Sequence, residues 1–152
     1  PTNKEVLLMK LILQSTLRSL GITEKYAGFS LAVTAISLCF ERPSRLRSVT
    51  KEVYWETAEL HGCNRSDVER NIRTVIHHAW KVNRPGLQAL SEYPLLAPPS
   101  VSDFLQIMVS HLKKAMLPIQ YQRRLTGWAE TPFGKEVIRC DPLHFPALHH
   151  GI

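Results

Sequence analysis

Two amphipathic stretches joined by a three-residue turn constrain this chain more than any other feature. Thr50 heads a helical segment over Lys51 to Leu60, with Val53, Tyr54, Thr57 and Ala58 facing inward. His61-Gly62-Cys63 then makes a tight turn, and Gly62 suits the left-handed conformation that a helix end demands. Asn64 opens a second helix that runs to about Trp80 or Val82, with Asp67 placed to favour its N-terminus. This is helix-turn-helix spacing. The second helix divides by face. Val68, Ile72, Val75, Ile76 and Ala79 form one apolar stripe, while Ser66, Arg70, Arg73, Thr74, His77 and Lys81 project to the other side, flanked by Glu69.

The rest of the chain reads as further helices, giving an all-α fold: a compact six-helix bundle. A first helix is expected from Lys4 to Leu20, with Thr2 and Glu5 as a capping box, Gly21 as its stop, and a broad apolar face of Val6, Leu7, Met9, Leu11, Ile12, Leu13, Leu17 and Leu20. A second is expected from Glu24 to Phe40, capped by Thr23, with Phe29, Val33, Ile36 and Phe40 on one stripe. The run Ser44 to Val49 predicts a short turn carrying two exposed arginines, Arg45 and Arg47. After the break at Asn83-Arg84-Pro85-Gly86, Leu87 to Tyr93 is a short helix or turn, and a proline-rich connector leads to a helix from Asp103 to Lys114, with Phe104, Ile107, Met108 and Leu112 inward. Beyond Met116, Pro118, Pro132, Pro142 and Pro146 recur and no helical stripe persists. The organisation read from this is a domain over residues 1–116 and an irregular extension over residues 117–152.

Chemistry narrows the function. The 152 residues carry a formal net charge of +6, with 44% hydrophobic and 21% charged residues, as in an ordinary soluble domain, and that charge suits a polyanion, an acidic protein or a membrane surface alike. Arg forks onto guanine O6 and N7, Glu accepts from cytosine N4, and Thr and His add further donors and acceptors. Glu69, Arg70, Arg73, Thr74 and His77 are therefore the candidate base-reading residues, and Arg45, Arg47, Lys51, Arg65, Ser66 and Lys81 the candidate phosphate contacts. A solvated polar face is the alternative, and so is a helical module that binds a protein partner instead of DNA. His77 and His78 point apart, which argues against catalysis: His77 faces the polar side and His78 the core edge. No phosphate-cradling glycine loop, nucleophile elbow or paired carboxylates are found, so no enzyme and no cofactor are expected. Cys140, His144, His149 and His150 lack the tight repeated spacing of a zinc site, as do His61 and Cys63, and no metal is expected. Trp55 and Trp80 read as packing residues, Trp128 as an anchor for the extension, and Arg123-Arg124 as a solvated pair. Three widely spaced cysteines, a start lacking a signal-peptide pattern and apolar runs too short for a bilayer lead to the expectation of a cytoplasmic protein with no membrane partner.

The run Ser66-Asp67-Val68-Glu69-Arg70-Asn71-Ile72-Arg73, with His78-Ala79-Trp80 after it, resembles the recognition helix of the stage zero sporulation protein A family, the sporulation master response regulators. Leu20-Gly21-Ile22, the Tyr26 to Phe29 turn, Ser48 to Lys51 and Ser102 to Leu105 are similar to the same family's C-terminal effector domain, in order, over about Leu11 to Lys114. The resemblance implies a six-helix transcription-factor module that binds a short GC-containing box, often as tandem copies. Its partners would be double-stranded DNA, a second copy of the chain on tandem sites, and RNA polymerase. It also implies that Glu69, Arg70 and Arg73 contact bases and phosphates. Asp67 stands where the family carries a basic residue, and Thr74 where it carries a histidine.

Overall fold

The computed structural model describes the backbone of residues 2–129 and the side chains of residues 2–118. The described backbone is all-helical: α1 Asn3–Ser19, α2 Ala27–Glu41, α3 Trp55–His61, α4 Arg65–Val82, α5 Arg84–Leu90 and α6 Val101–Ala129, with a 3-10 turn at Pro43–Arg47 and a π-helical turn at Val49–Tyr54 between α2 and α3. The chain divides into two units between residues 115 and 116.

In the first unit, α1 starts with the expected capping box: the Thr2 hydroxyl accepts from the Glu5 amide at 3.2 Å, and the Glu5 carboxylate accepts from the Thr2 amide at 3.1 Å. Its broad apolar face narrows on folding to one buried stripe, Met9, Leu13, Leu17 and then Leu20, leaving Val6, Leu7 and Leu11 exposed. Gly21 ends the helix at φ +86°, where the Gly21 amide donates to the Arg18 carbonyl and the Ile22 amide to the Leu17 carbonyl.

The second helix begins later than expected. The Tyr26 amide closes a turn on the Thr23 carbonyl, α2 starts at Ala27, and Thr23 caps nothing; Glu24 instead receives the Arg18 guanidinium. α2 touches α1, α3 and α4, so Phe29, Leu31, Ala32, Ala35, Ile36, Leu38 and Cys39 are all buried, while Val33 and Phe40 of the expected stripe are only half-buried. A central helix buries most of its circumference, so a single-stripe reading undercounts it. Burial pushes the Cys39 thiol up to about 11, the guanidinium of Arg45 opposing it, so this cysteine is an unreactive part of the core.

The expected continuous helix from Lys51 is in fact a π-turn followed by α3. At α-helical pitch, positions five apart diverge by about 140°; the wider turn brings Val49, Val53 and Tyr54 inward together. α4 buries all five residues of its expected stripe. Asn83 links its end to two neighbours, accepting from the Gly86 amide at 3.1 Å to start α5 and donating to the Ser19 carbonyl of α1 at 2.7 Å. The last helix differs most. Expected to stop at Lys114, α6 continues to Ala129 with Pro118 inside it, so the part of the extension up to residue 129 is helical. Cys140, His144, His149 and His150, read above as an unmatched ligand set, lie outside the described residues.

Candidate nucleic-acid interface

α4 is fixed from below and open above. Val68, Ile72, Ile76 and Ala79 are fully buried against the core, and Val75 nearly so. On the opposite side Arg65, Ser66, Arg70, Arg73, Thr74, His77 and Lys81 are all exposed. At about 1.5 Å rise per residue, Arg70 to His77 covers about 10 Å, the length of three base pairs along a groove. The helix carries four cations against two carboxylates, Asp67 and Glu69.

Two of the four cations on this face are paired. An Arg70 Nη2 donates to Asp67 Oδ1 at 2.5 Å, and Arg73 donates to Glu69 one turn below it. In both pairs the carboxylate is the more sheltered partner, and the arginine side chains stay 70% and 61% exposed. Exposed pairs of this type are individually weak, about 0.3–0.5 kcal/mol, so each guanidinium can be recruited by a stronger acceptor. The Thr74 hydroxyl donates to the Arg70 carbonyl at 2.9 Å, which leaves its exposed oxygen to accept. His77 is free on the surface, whereas the Nε2 of His78 lies 3.3 Å from the Tyr26 hydroxyl with ring centroids 4.8 Å apart. The two histidines diverge; His78 packs.

At the N-terminal end of α4, Thr50, Tyr54, Asn64, Arg65, Ser66 and Glu69 line an open groove of about 720 Å³. Asn64 occupies the cap position with extended backbone, yet its side chain makes no cap bond. Of the groove residues, Thr50, Tyr54 and Asn64 are not among the expected contacts, and Tyr54 adds a phenolic hydroxyl. Burial, reinforced by the Glu69 carboxylate and opposed by Arg73, pushes its hydroxyl up to about 12, so it remains a neutral donor. No motif signals it, because its inward position in a helical pattern looks like core.

Among the expected phosphate contacts the structure makes one clear correction. Arg45 is not exposed. It is only 6% accessible, its Nη1 donating to the Leu38 carbonyl at 2.7 Å and its Nη2 pairing with Glu56 at 3.0 Å. The amphipathic pattern of a five-residue turn is too short to show which arginine turns inward, and Arg45 ties that turn to α2 and α3. Arg47 remains exposed on the same turn. Trp55, expected to pack, is 53% exposed, and its ring lies under the Arg65 guanidinium at 5.4 Å. Lys51 and Trp55 line a shared cleft with Arg42, Glu52 and Glu59, so Trp55 connects Lys51 to Arg65 at the foot of α4. Trp80 is half-buried, with the Arg84 guanidinium 4.0 Å from its ring centre.

Among the described residues no group of three His, Cys, Asp or Glu side chains is placed to hold a metal ion, and His61 is engaged by the Thr34 hydroxyl at 2.7 Å. No described helix is long and apolar enough to cross a membrane. The sequence matches the family model described as sporulation initiation factor Spo0A C terminal over residues 13–112, which takes in α4, its scaffold and most of the first unit. That family is a DNA-binding transcription-regulator domain, the effector part of a response regulator, and not an enzyme family. With the match spanning most of its length, the chain belongs to the Spo0A C-terminal family of DNA-binding effector domains from sporulation regulators.

Proposed function

We propose that the chain is a sequence-specific regulator of transcription that seats α4 in the major groove of double-stranded DNA. The observation that carries this reading is the two-sidedness of α4: five buried residues hold it against the core while Arg70, Arg73, Thr74 and His77 stand exposed along one line. Glu69, Arg70, Arg73, Thr74 and His77 read base edges, and Arg47, Lys51, Arg65, Ser66 and Lys81 hold the sugar-phosphate backbone on either side. Arg45 has no part in the contact, being committed to Leu38 and Glu56. On tandem boxes two copies of the chain bind side by side, and RNA polymerase is the partner through which transcription responds.

Fluorescence anisotropy on a duplex carrying a GC-containing box, against a scrambled duplex at two salt concentrations, tests the reading. The expected result is preference for the box, with Arg70→Ala losing about 1–3 kcal/mol of that preference. Equal, salt-sensitive binding to both duplexes would reduce the chain to a DNA binder whose site must be selected from a random pool. No binding to either duplex at low salt would overturn it in favour of a module that docks a protein partner.

A further inference from the structure

A carboxylate on the side of a helix offered to a polyanion needs a reason. Asp67 stands at the third position of α4, a turn before Arg70 and beside the groove lined by Arg65 and Ser66. Facing phosphates, it costs affinity through like-charge repulsion, which acts over about a Debye length, roughly 8 Å at physiological salt. A favourable interaction with the helix dipole explains an acidic residue in the first turn. It does not explain why this carboxylate is joined to the guanidinium of the central exposed arginine.

We infer that Asp67 is a positioning residue for Arg70, biasing its guanidinium toward the orientation in which the free edge forks onto a guanine; this rests on the DNA-reading role proposed above for α4. The geometry has the required asymmetry. Asp67 is the more sheltered member, its side chain 30% exposed. Arg70 is the projecting member, at 70%. Only Arg70 Nη2 is engaged, so Nη1, Nε and the second Nη2 proton remain for a bidentate contact with O6 and N7. A long side chain held before contact loses less rotamer freedom on binding, and a misaligned base leaves the held fork unpaired. Asp67 thereby exchanges non-specific affinity for discrimination.

The test is a double-mutant cycle on the full chain, with the preferred GC-containing duplex and its scrambled counterpart. Asp67→Ala should raise affinity for the scrambled duplex and lower the specific-to-scrambled ratio by about twofold, the worth of an exposed pair one helical turn apart. Asp67→Asn, which keeps an acceptor without the charge, should recover part of the ratio. In the Arg70→Ala background Asp67→Ala should leave the ratio unchanged while still raising scrambled binding. In the DNA-free protein, Asp67→Ala should shift and broaden the Arg70 Nε–H resonance. An unchanged ratio with Asp67→Ala alone, or an equal fall with and without Arg70, overturns the positioning role and leaves the DNA reading intact. A full chain that prefers neither duplex overturns both.

Discussion

Gly28 of α2 lies against the backbone of Asn71 in α4: a β-carbon at position 28 would stand 2.3 Å from the Asn71 carbonyl oxygen and 2.7 Å from a Val75 methyl. Two helices meet here backbone to backbone, directly beneath the face that carries Arg70 and Arg73. Backbone cannot swing aside as a side-chain end can. Gly28→Ala is therefore expected to destabilise the domain by about 3 kcal/mol, at the upper end of overpacking costs. In chemical denaturation the midpoint should fall with little change in slope. Any folded fraction should also bind DNA less specifically, because α4 must shift. A variant as stable as the parent would show that this contact does not set the position of α4.

Arg45 and Lys51 look alike in sequence and should behave oppositely. Removing Glu56 leaves the buried Arg45 with only the Leu38 carbonyl, so Glu56→Gln is expected to cost about 1 kcal/mol of stability, the exposure of Glu56 to solvent keeping the loss modest. It should leave the salt dependence of DNA binding unchanged. Lys51→Ala should do the reverse, leaving the melting temperature in place and reducing the salt slope by about one. A changed salt slope with Glu56→Gln and none with Lys51→Ala would return Arg45 to the interface.

Thr57 of α3 is fully buried, and its hydroxyl has no hydrogen-bond partner. Thr57→Val replaces it with a shape of similar size and no unsatisfied group. The expected outcome is a gain of up to about 1 kcal/mol in thermal unfolding, since a buried orphan donor carries a desolvation cost. A loss of that size would mean the hydroxyl is satisfied in solution.

His111 gives the domain a pH dependence. Burial, helped by Lys114, lowers its pKa below the usual histidine value, and its Nε2 lies 3.3 Å from the Thr16 hydroxyl of α1. The unfolded chain then binds a proton at a higher pH than the folded chain, so stability is full above the unfolded value of 6.5 and is lost as pH falls through the depressed folded value. Melting temperature is expected to decline between pH 7 and the acid side of that window. His111→Gln should flatten the decline without removing it, other groups titrating nearby. Identical pH profiles for the two proteins would eliminate His111 as the source.

Local periodicity was enough for α4. Its apolar residues recur at helical spacing over about three turns, so the buried stripe of Val68 to Ala79 and the exposed line from Ser66 to Lys81 follow from geometry that holds in any fold. The capping box at Thr2 and Glu5 and the glycine stops at Gly21 and Gly62 were legible for the same reason: each is a bargain struck within a few residues. The ion pairs Asp67–Arg70 and Glu69–Arg73 also lie within one turn, yet reading them needs the rotamers that the helix surface selects.

Tertiary structure decided the rest. Five residues from Pro43 to Arg47 contain too little pattern to tell Arg45 from Arg47; only the Leu38 carbonyl and the Glu56 carboxylate, brought close by folding, turn Arg45 inward. Trp55 is large and apolar, but Tyr54 and Val53 of the π-turn take the buried positions, and it becomes instead the platform for Arg65. α2 starts at Ala27 and not at Glu24, residues 23–26 closing a turn in which the Tyr26 amide donates to the Thr23 carbonyl. What a residue can do locally is set by its own neighbours in the chain. Which of several allowed positions it takes depends on partners distant in sequence, and their free energy appears only once the chain has closed around them.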